Sequence, residues 1–177
     1  MTEKVREETY FYLHTRLTSI VKKAQKPKKI TLIWDVSESS KSRDFNKELA
    51  LLDQYFRRLK NVEIELVEFS NEIHDTTQFK IENGNWRALK AKIQNLKYDG
   101  GTQLGSLILK AYKSDLIVLV TDGLTTLGQS ELTFSATPIT VLNSSKSANE
   151  AYLRYIAQGS CGKYVDLNHT EIGDLNT

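Results

Sequence analysis

The sequence predicts an α/β fold: an open, mostly parallel central sheet with one antiparallel edge strand and helices on both faces. Three observations carry this. Short apolar runs recur, foremost Ile30-Thr31-Leu32-Ile33-Trp34 and Leu116-Ile117-Val118-Leu119-Val120, rich in strand formers and suited to burial on both faces. Between such runs lie stretches with apolar residues at three- and four-residue steps, the mark of amphipathic helices. Strand and helix patterns also alternate, the order from which parallel sheets are built.

The chain has 177 residues, enough for one domain with a substantial core. Hydrophobic residues make up 40% and charged residues 26%, the balance of an ordinary globular protein. A net charge of +2 gives no argument for a nucleic-acid partner. No apolar run approaches the ~20 residues that span a bilayer, so no membrane insertion by this chain is expected. Its first residues are charged and lack the apolar core of a signal peptide, and the compartment is left open. Cys161 is alone, which rules out an internal disulfide and any cysteine-based metal site.

Taken in order, Tyr10 to Leu17 is rich in strand formers and reads as an extra edge strand or as the tail of a preceding domain. Five lysines around Pro27 then read as a solvated linker in preference to a contact for an anionic surface. After the strand that ends at Asp35, Phe45, Leu49, Leu52, Phe56 and Leu59 predict a helix from about 43 to 60. Val62 to Phe69 is a second strand. Glu72 to Ile81 is a third, returning antiparallel at a sheet edge. Asn85 is placed to cap a helix whose apolar face is Trp86, Leu89, Ile93 and Leu96. A glycine-rich loop, Tyr98 to Gly105, opens into a helical stretch from Leu107 to Tyr112. Then follow the strand Leu116–Val120, a loop over 124–136, a strand from Pro138 to Leu142, and a helix from Glu150 to Gln158 ended by Gly159. Lys163 to Leu167 is a last short strand, and the final ten residues suggest one more helical turn.

The two most apolar strands end in acids, at Asp35 and Asp122, and as central neighbours they aim both at the crevice where open α/β sheets place ligands. Asp35, Ser37 and Ser39 alternate, so their side chains converge on one region. One carboxylate with two hydroxyls is an all-oxygen set suited to a hard cation such as Mg2+ or Mn2+. Two carboxylates close together without a cation repel, raising the pKa of one of them.

Asp35-x-Ser37-x-Ser39, Thr102 in its Gly-Gly-Thr loop, and Thr121-Asp122-Gly123 together resemble the von Willebrand factor type A domain and its metal-ion-dependent adhesion site. The resemblance covers roughly residues 28 to 170 and implies a Rossmann-like fold. It implies that Ser37, Ser39 and Thr102 offer hydroxyls to the metal, the threonine joining directly when ligand binds. Asp35 and Asp122 then sit close, largely through water. It further implies a partner protein presenting an Asp or Glu carboxylate. The small ligand set disfavours the larger shell of Ca2+. Ile33-Trp34-Asp35 and the short Asp122–Pro138 connection look most like the A domains of inter-alpha-trypsin-inhibitor-type proteins, which carry a so-called VIT domain just before. On that likeness residues 28–177 are the A domain. Residues 1–27 are then an extension or the remnant of a preceding domain, within a larger polypeptide.

Two alternatives stay in view. A strand ending in Asp also opens haloacid-dehalogenase-type phosphatases, but their motif needs a second acid where this chain has Ser37. The other alternative is a scaffold domain with an unused metal site. His14, His74 and His169 show no ligand or triad spacing, no nucleophile has an evident base, and Gly100 to Gly105 lacks the ending of a phosphate loop. Glu38 lies beside the constellation, where it either tunes the site's charge or is a solvent-facing acid. Asn143-Ser144-Ser145 and Asn168-His169-Thr170 match the glycosylation pattern, which short sequences often do by chance.

Overall fold

A computed structural model describes residues 2–5, 8–11, 25–128, 132–134 and 136–169. Its central sheet has six strands: β3 (Lys29–Asp35), β4 (Val62–Phe69), β5 (Ile73–Ile81), β6 (Leu116–Val120), β7 (Ile139–Asn143) and β8 (Tyr164–Asp166). They lie in the order β5-β4-β3-β6-β7-β8, with every pairing parallel except β4 with β5. The expected antiparallel edge is therefore present, and the strands ending near Asp35 and Asp122 are adjacent. Near the N-terminus β1 (Thr2–Val5) pairs with β2 (Glu8–Phe11) as a separate antiparallel hairpin. Tyr10 and Phe11 thus belong to that hairpin rather than to the central sheet, and 12–17 fall outside the described residues.

Alternation within β3 divides the core between two faces. Ile30, Leu32 and Trp34 face α1 (Phe45–Leu59) and α2 (Arg87–Gln94), where Leu52, Phe56, Leu89 and Ile93 meet them. Ile33 turns the other way, joining Val67, Ile117, Leu119 and Val141 beneath α3 (Glu150–Gly159), which supplies Leu153, Ile156 and Ala157. Helices therefore cover both faces, and the continuous apolar runs are explained by their double burial.

The helix starts are built from short polar side chains. Asp44 accepts from Lys47 N at 3.2 Å to open α1, and Asn149 accepts from Tyr152 N at 3.2 Å to open α3. Asn85 acts one residue earlier than expected. Trp86 holds the cap position, and the Asn85 side-chain Oδ1 accepts from Arg87 N at 3.3 Å.

One expected helix is absent. Over Leu107–Tyr112 the chain forms only one 3-10 turn, Leu109–Ala111, with another, Leu104–Ser106, just before it. Leu104, Leu107 and Leu109 are all buried while Ile108 is exposed. Residues two apart point to nearly opposite sides of an α-helix, so burying both Leu107 and Leu109 requires an irregular path. The turn expected at the C-terminus lies outside the described residues, which end at 169.

Candidate functional site

Asp35 ends β3 and is buried, because its strand is central and its carboxylate is engaged from two sides. Oδ1 accepts from Ser37 N at 2.9 Å, turning the chain sharply after the strand. Oδ2 accepts from Thr121 Oγ1 at 2.6 Å, linking it to the end of β6. The turn brings Ser37 Oγ within 3.3 Å of both Ser39 Oγ and Ser40 Oγ, and a 3-10 turn over Ser39–Ser42 carries the chain on towards α1.

Asp122 follows β6 at the same edge and is equally buried. Its Oδ1 accepts from Leu124 N at 3.0 Å, and its backbone carbonyl accepts from Asn149 N at 2.9 Å, fastening it to the start of α3. Gly123 has φ +71, and a Cβ there would come within 2.7 Å of Leu153 Cδ2, so the turn after Asp122 fits glycine alone.

The glycine-rich loop brings in Thr102. Gly100 O accepts from Glu38 N at 2.9 Å, tying this loop to the one after Asp35. Thr102 O accepts from Thr126 N at 3.0 Å and Leu127 N at 3.1 Å, while Thr102 N donates to Thr126 Oγ1 at 2.9 Å. A Cβ on Gly101 would lie 2.6 Å from Thr126 Oγ1, so this close docking depends on glycine. The backbone of Thr102 is thus fully engaged, yet its Oγ1 is buried without a hydrogen-bond partner, as is Asp122 Oδ2. A buried polar atom left unpaired costs about 1–3 kcal/mol, so these oxygens, with Thr125 Oγ1 likewise unpaired in the loop after Asp122, call for an explanation.

Burial pushes the Asp122 carboxyl above its ordinary range. The Leu124 amide pulls it back in part, as do the Ser39 hydroxyl, which faces the carboxyl without meeting hydrogen-bond geometry at Oδ2, and the Arg43 charge, while Asp35 adds to the rise. Unfolded, such a carboxyl gives up its proton more readily, so without a cation it costs stability as pH climbs from the ordinary carboxylate range through its folded value. In EDTA at neutral pH, Asp122→Asn is therefore expected to melt above the wild type, with the gap closing as pH falls towards that range. Thermal melts of both proteins across pH check this. A variant melting at or below the wild type at neutral pH would contradict it.

The structure thus brings Asp35, Ser37, Ser39 and Asp122 together and holds Thr102 in a loop bonded to the same turn. Among the described residues there is no cluster of three or more His, Cys, Asp or Glu, so these types alone do not make a cation site here. Other parts of the site were not evident from sequence. Thr121 and Thr126 fix the acid and the loop. Arg43 and Glu48 form a buried ion pair, Nε to Oε1 3.4 Å, behind the strand ends. Glu48 carried a signal, since it lies on the helix stripe beside Leu52; Arg43, in a run of polar residues, carried none.

Several other side chains have local structural partners. His74 Nε2 is 2.6 Å from Ser70 Oγ, and His169 Nδ1 is 2.7 Å from Asp166 Oδ2. Glu38 is exposed and paired with Lys41. Asn143 is fully buried, with Nδ2 donating to Ser145 O at 3.1 Å, which puts this glycosylation pattern out of reach in the folded domain.

Two adjacent parallel strands ending in acids, a hydroxyl-rich turn and a threonine loop at one edge of a doubly covered sheet define the class of an α/β binding domain. The chain belongs to the von Willebrand factor type A domain family, whose model matches residues 29–159. Domains of this family are generally non-catalytic protein-interaction modules and often hold a divalent cation at such an adhesion site. No curated protein sequence matches the chain. Among solved structures it is similar to an aerotolerance-related membrane protein from Bacteroides fragilis, with TM-score 0.60 and 14% identity over 83% of this chain and 94% of that one. It is also similar to the conserved hypothetical protein BatB from Bacteroides thetaiotaomicron, with TM-score 0.58 and 15% identity over 78% and 89%. A point mutant of the PilB minor pilin from Streptococcus sanguinis gives TM-score 0.52 and 16% identity over 86% of this chain and 61% of that one. At such identities these likenesses speak for the fold alone.

Proposed function

We propose that the domain binds Mg2+ or Mn2+ among Asp35, Ser37, Ser39, Thr102 and Asp122, and through it an Asp or Glu carboxylate of a protein partner. The observation that carries this is the pair of buried, unpartnered oxygens, Thr102 Oγ1 and Asp122 Oδ2, at one edge of the sheet. Ser37, Ser39 and Thr102 hold the cation by their hydroxyls, with Asp35 and Asp122 close by as the negative charge. A cation held mainly by neutral hydroxyls keeps most of its charge and attracts an anionic oxygen from outside. Asp35 keeps the turn in shape through Ser37 N and Thr121, and Asp122 keeps the neighbouring loop in place through Leu124 N. The few protein oxygens suit Mg2+ or Mn2+ better than Ca2+.

A phosphatase using Asp35 as nucleophile is less well supported, since Ser37 stands where its general acid belongs and bonds only to neighbouring serines by its hydroxyl. We take residues 28–177 as the binding module and 1–27 as an extension, within a larger polypeptide of the VIT-associated kind.

The test is calorimetric titration of metal-stripped protein with Mn2+ and Mg2+, alone and with acetate present, beside Thr102→Ala. Binding by the wild type that tightens with acetate and weakens in Thr102→Ala is the expected result. Absence of binding at millimolar metal, with acetate as without, sinks the reading and leaves a scaffold domain with an unused site.

A further inference from the structure

We propose that Arg43 is a positioning residue for the metal edge, clamping the ends of β3 and β6 so that Asp35 and Asp122 are held in place before any cation arrives. This rests on the metal-binding reading above and assigns how that site is kept assembled when empty.

The argument starts where the sheet stops. The β3–β6 ladder ends at Trp34 opposite Val120. Beyond that pair the strands must separate towards Ser37 on one side and Asp122 on the other. Arg43 takes over at that point. Its Nη1 donates to Val120 O at 2.7 Å and its Nη2 to Asp35 O at 3.1 Å, so one planar group bridges the last carbonyls of both strands. The two-pronged guanidinium is suited to this; a lysine, with one ammonium on a flexible stem, is not.

The clamp is itself clamped. Arg43 is 4% exposed and is the residue that ends the 3-10 turn begun at Ser39, its N–H donating to Ser40 O at 3.2 Å. Its guanidinium lies 5.1 Å from the Trp34 ring centre and 5.5 Å from that of Phe45. Glu48 Oε1, 3.4 Å from Nε, also accepts from Ser144 Oγ at 2.6 Å, and Ser144 Oγ accepts from Asp44 N at 2.8 Å. A buried network thus runs from the start of α1 and the end of β7 to the carbonyls beneath both acids. Its members touch no ligand themselves; they act on Asp35 and Asp122 mainly through the backbone, with the Arg43 charge also favouring the ionised Asp122 carboxyl, as outer-shell groups orient metal ligands elsewhere.

The test uses the whole chain with Mn2+ as probe and two variants. Arg43→Met/Glu48→Met removes both charges together and replaces the pair with apolar side chains, a change buried ion pairs often tolerate. Arg43→Lys keeps the charge and loses the fork. Mn2+ affinity is measured by calorimetry, and hydrogen exchange is followed in EDTA at the amides of Ser37 and Leu124, which bond to the two acids. Both variants are expected to weaken Mn2+ binding about tenfold or more. Both should also speed exchange at Ser37 and Leu124 while leaving strand-interior amides such as Leu32 and Leu66 unchanged.

A merely structural role would lower melting temperature and move all amides alike. Wild-type Mn2+ affinity and wild-type exchange at Ser37 and Leu124 in a folded Arg43→Lys protein overturn the proposal. Faster exchange at those two amides, in a wild-type background that binds no Mn2+, supports the clamp and overturns the metal reading instead.

Discussion

Alanine in place of Asp35 is expected to weaken Mg2+ and Mn2+ binding by about 100-fold or more, beyond what loss of an outer-shell contact costs. Two effects combine in this side chain. On the proposed metal reading its charge would balance the cation, in a buried setting where opposite charges are poorly screened. Its oxygens shape the site, because Ser37 N and Thr121 Oγ1 both donate to it. Alanine leaves those two donors without their partner, at about 1–3 kcal/mol each when buried, but it also relieves the repulsion between Asp35 and Asp122. The melting temperature in EDTA should therefore change modestly while metal binding collapses.

Asp35→Asn separates charge from shape. Its amide oxygen can still accept from Ser37 N, and its amide nitrogen can donate to Thr121 Oγ1, so the turn should survive. Calorimetry on both variants decides the matter. Loss of metal in Asn as well as Ala assigns the effect to charge. Wild-type affinity in Asp35→Asn would refute the electrostatic account of this position.

How much of this was legible follows from the distance over which each residue acts. Asp35 and Asp122 announce themselves because a strand buried on both faces cannot continue through a carboxylate. Where an apolar run breaks into polar residues, the strand and the sheet edge end together. Ser37 and Ser39 follow from the same turn, within a few residues of Asp35. Thr102 needed the family likeness, since no local pattern says that a Gly-Gly-Thr loop will dock against residues 126 and 127. The apolar density of Leu107–Tyr112 suggests a helix, but its buried leucines, two residues apart, point to nearly opposite sides of one.

Arg43 was invisible for a related reason. Its neighbours Lys41, Ser42 and Asp44 are polar, and only the fold of the 3-10 turn carries it inwards to a carbonyl 77 residues away. Asn143 shows the converse. Its local pattern matches a sugar acceptor, as short sequences often do by chance, but it closes β7, where the core buries it.

Glu48→Ala is expected to cost about 3–5 kcal/mol, because it strands the Arg43 guanidinium in the interior without a counter-charge. For a domain of this size that corresponds to a fall in Tm of roughly 10 °C or more. Burial already holds the Glu48 carboxyl above its ordinary range, although Arg43 and the Ser144 hydroxyl favour its charged form. The pair is therefore costly to keep and costlier to break. Removing both charges together should recover most of the loss, since apolar side chains of similar volume replace an ion pair that barely repays its own desolvation. Thermal melts of Glu48→Ala and of Arg43→Met/Glu48→Met test this as a pair. If the single variant is as stable as the double, the charges do not depend on each other. The cost of Glu48 would then lie in its hydrogen bond to Ser144 rather than in the ion pair.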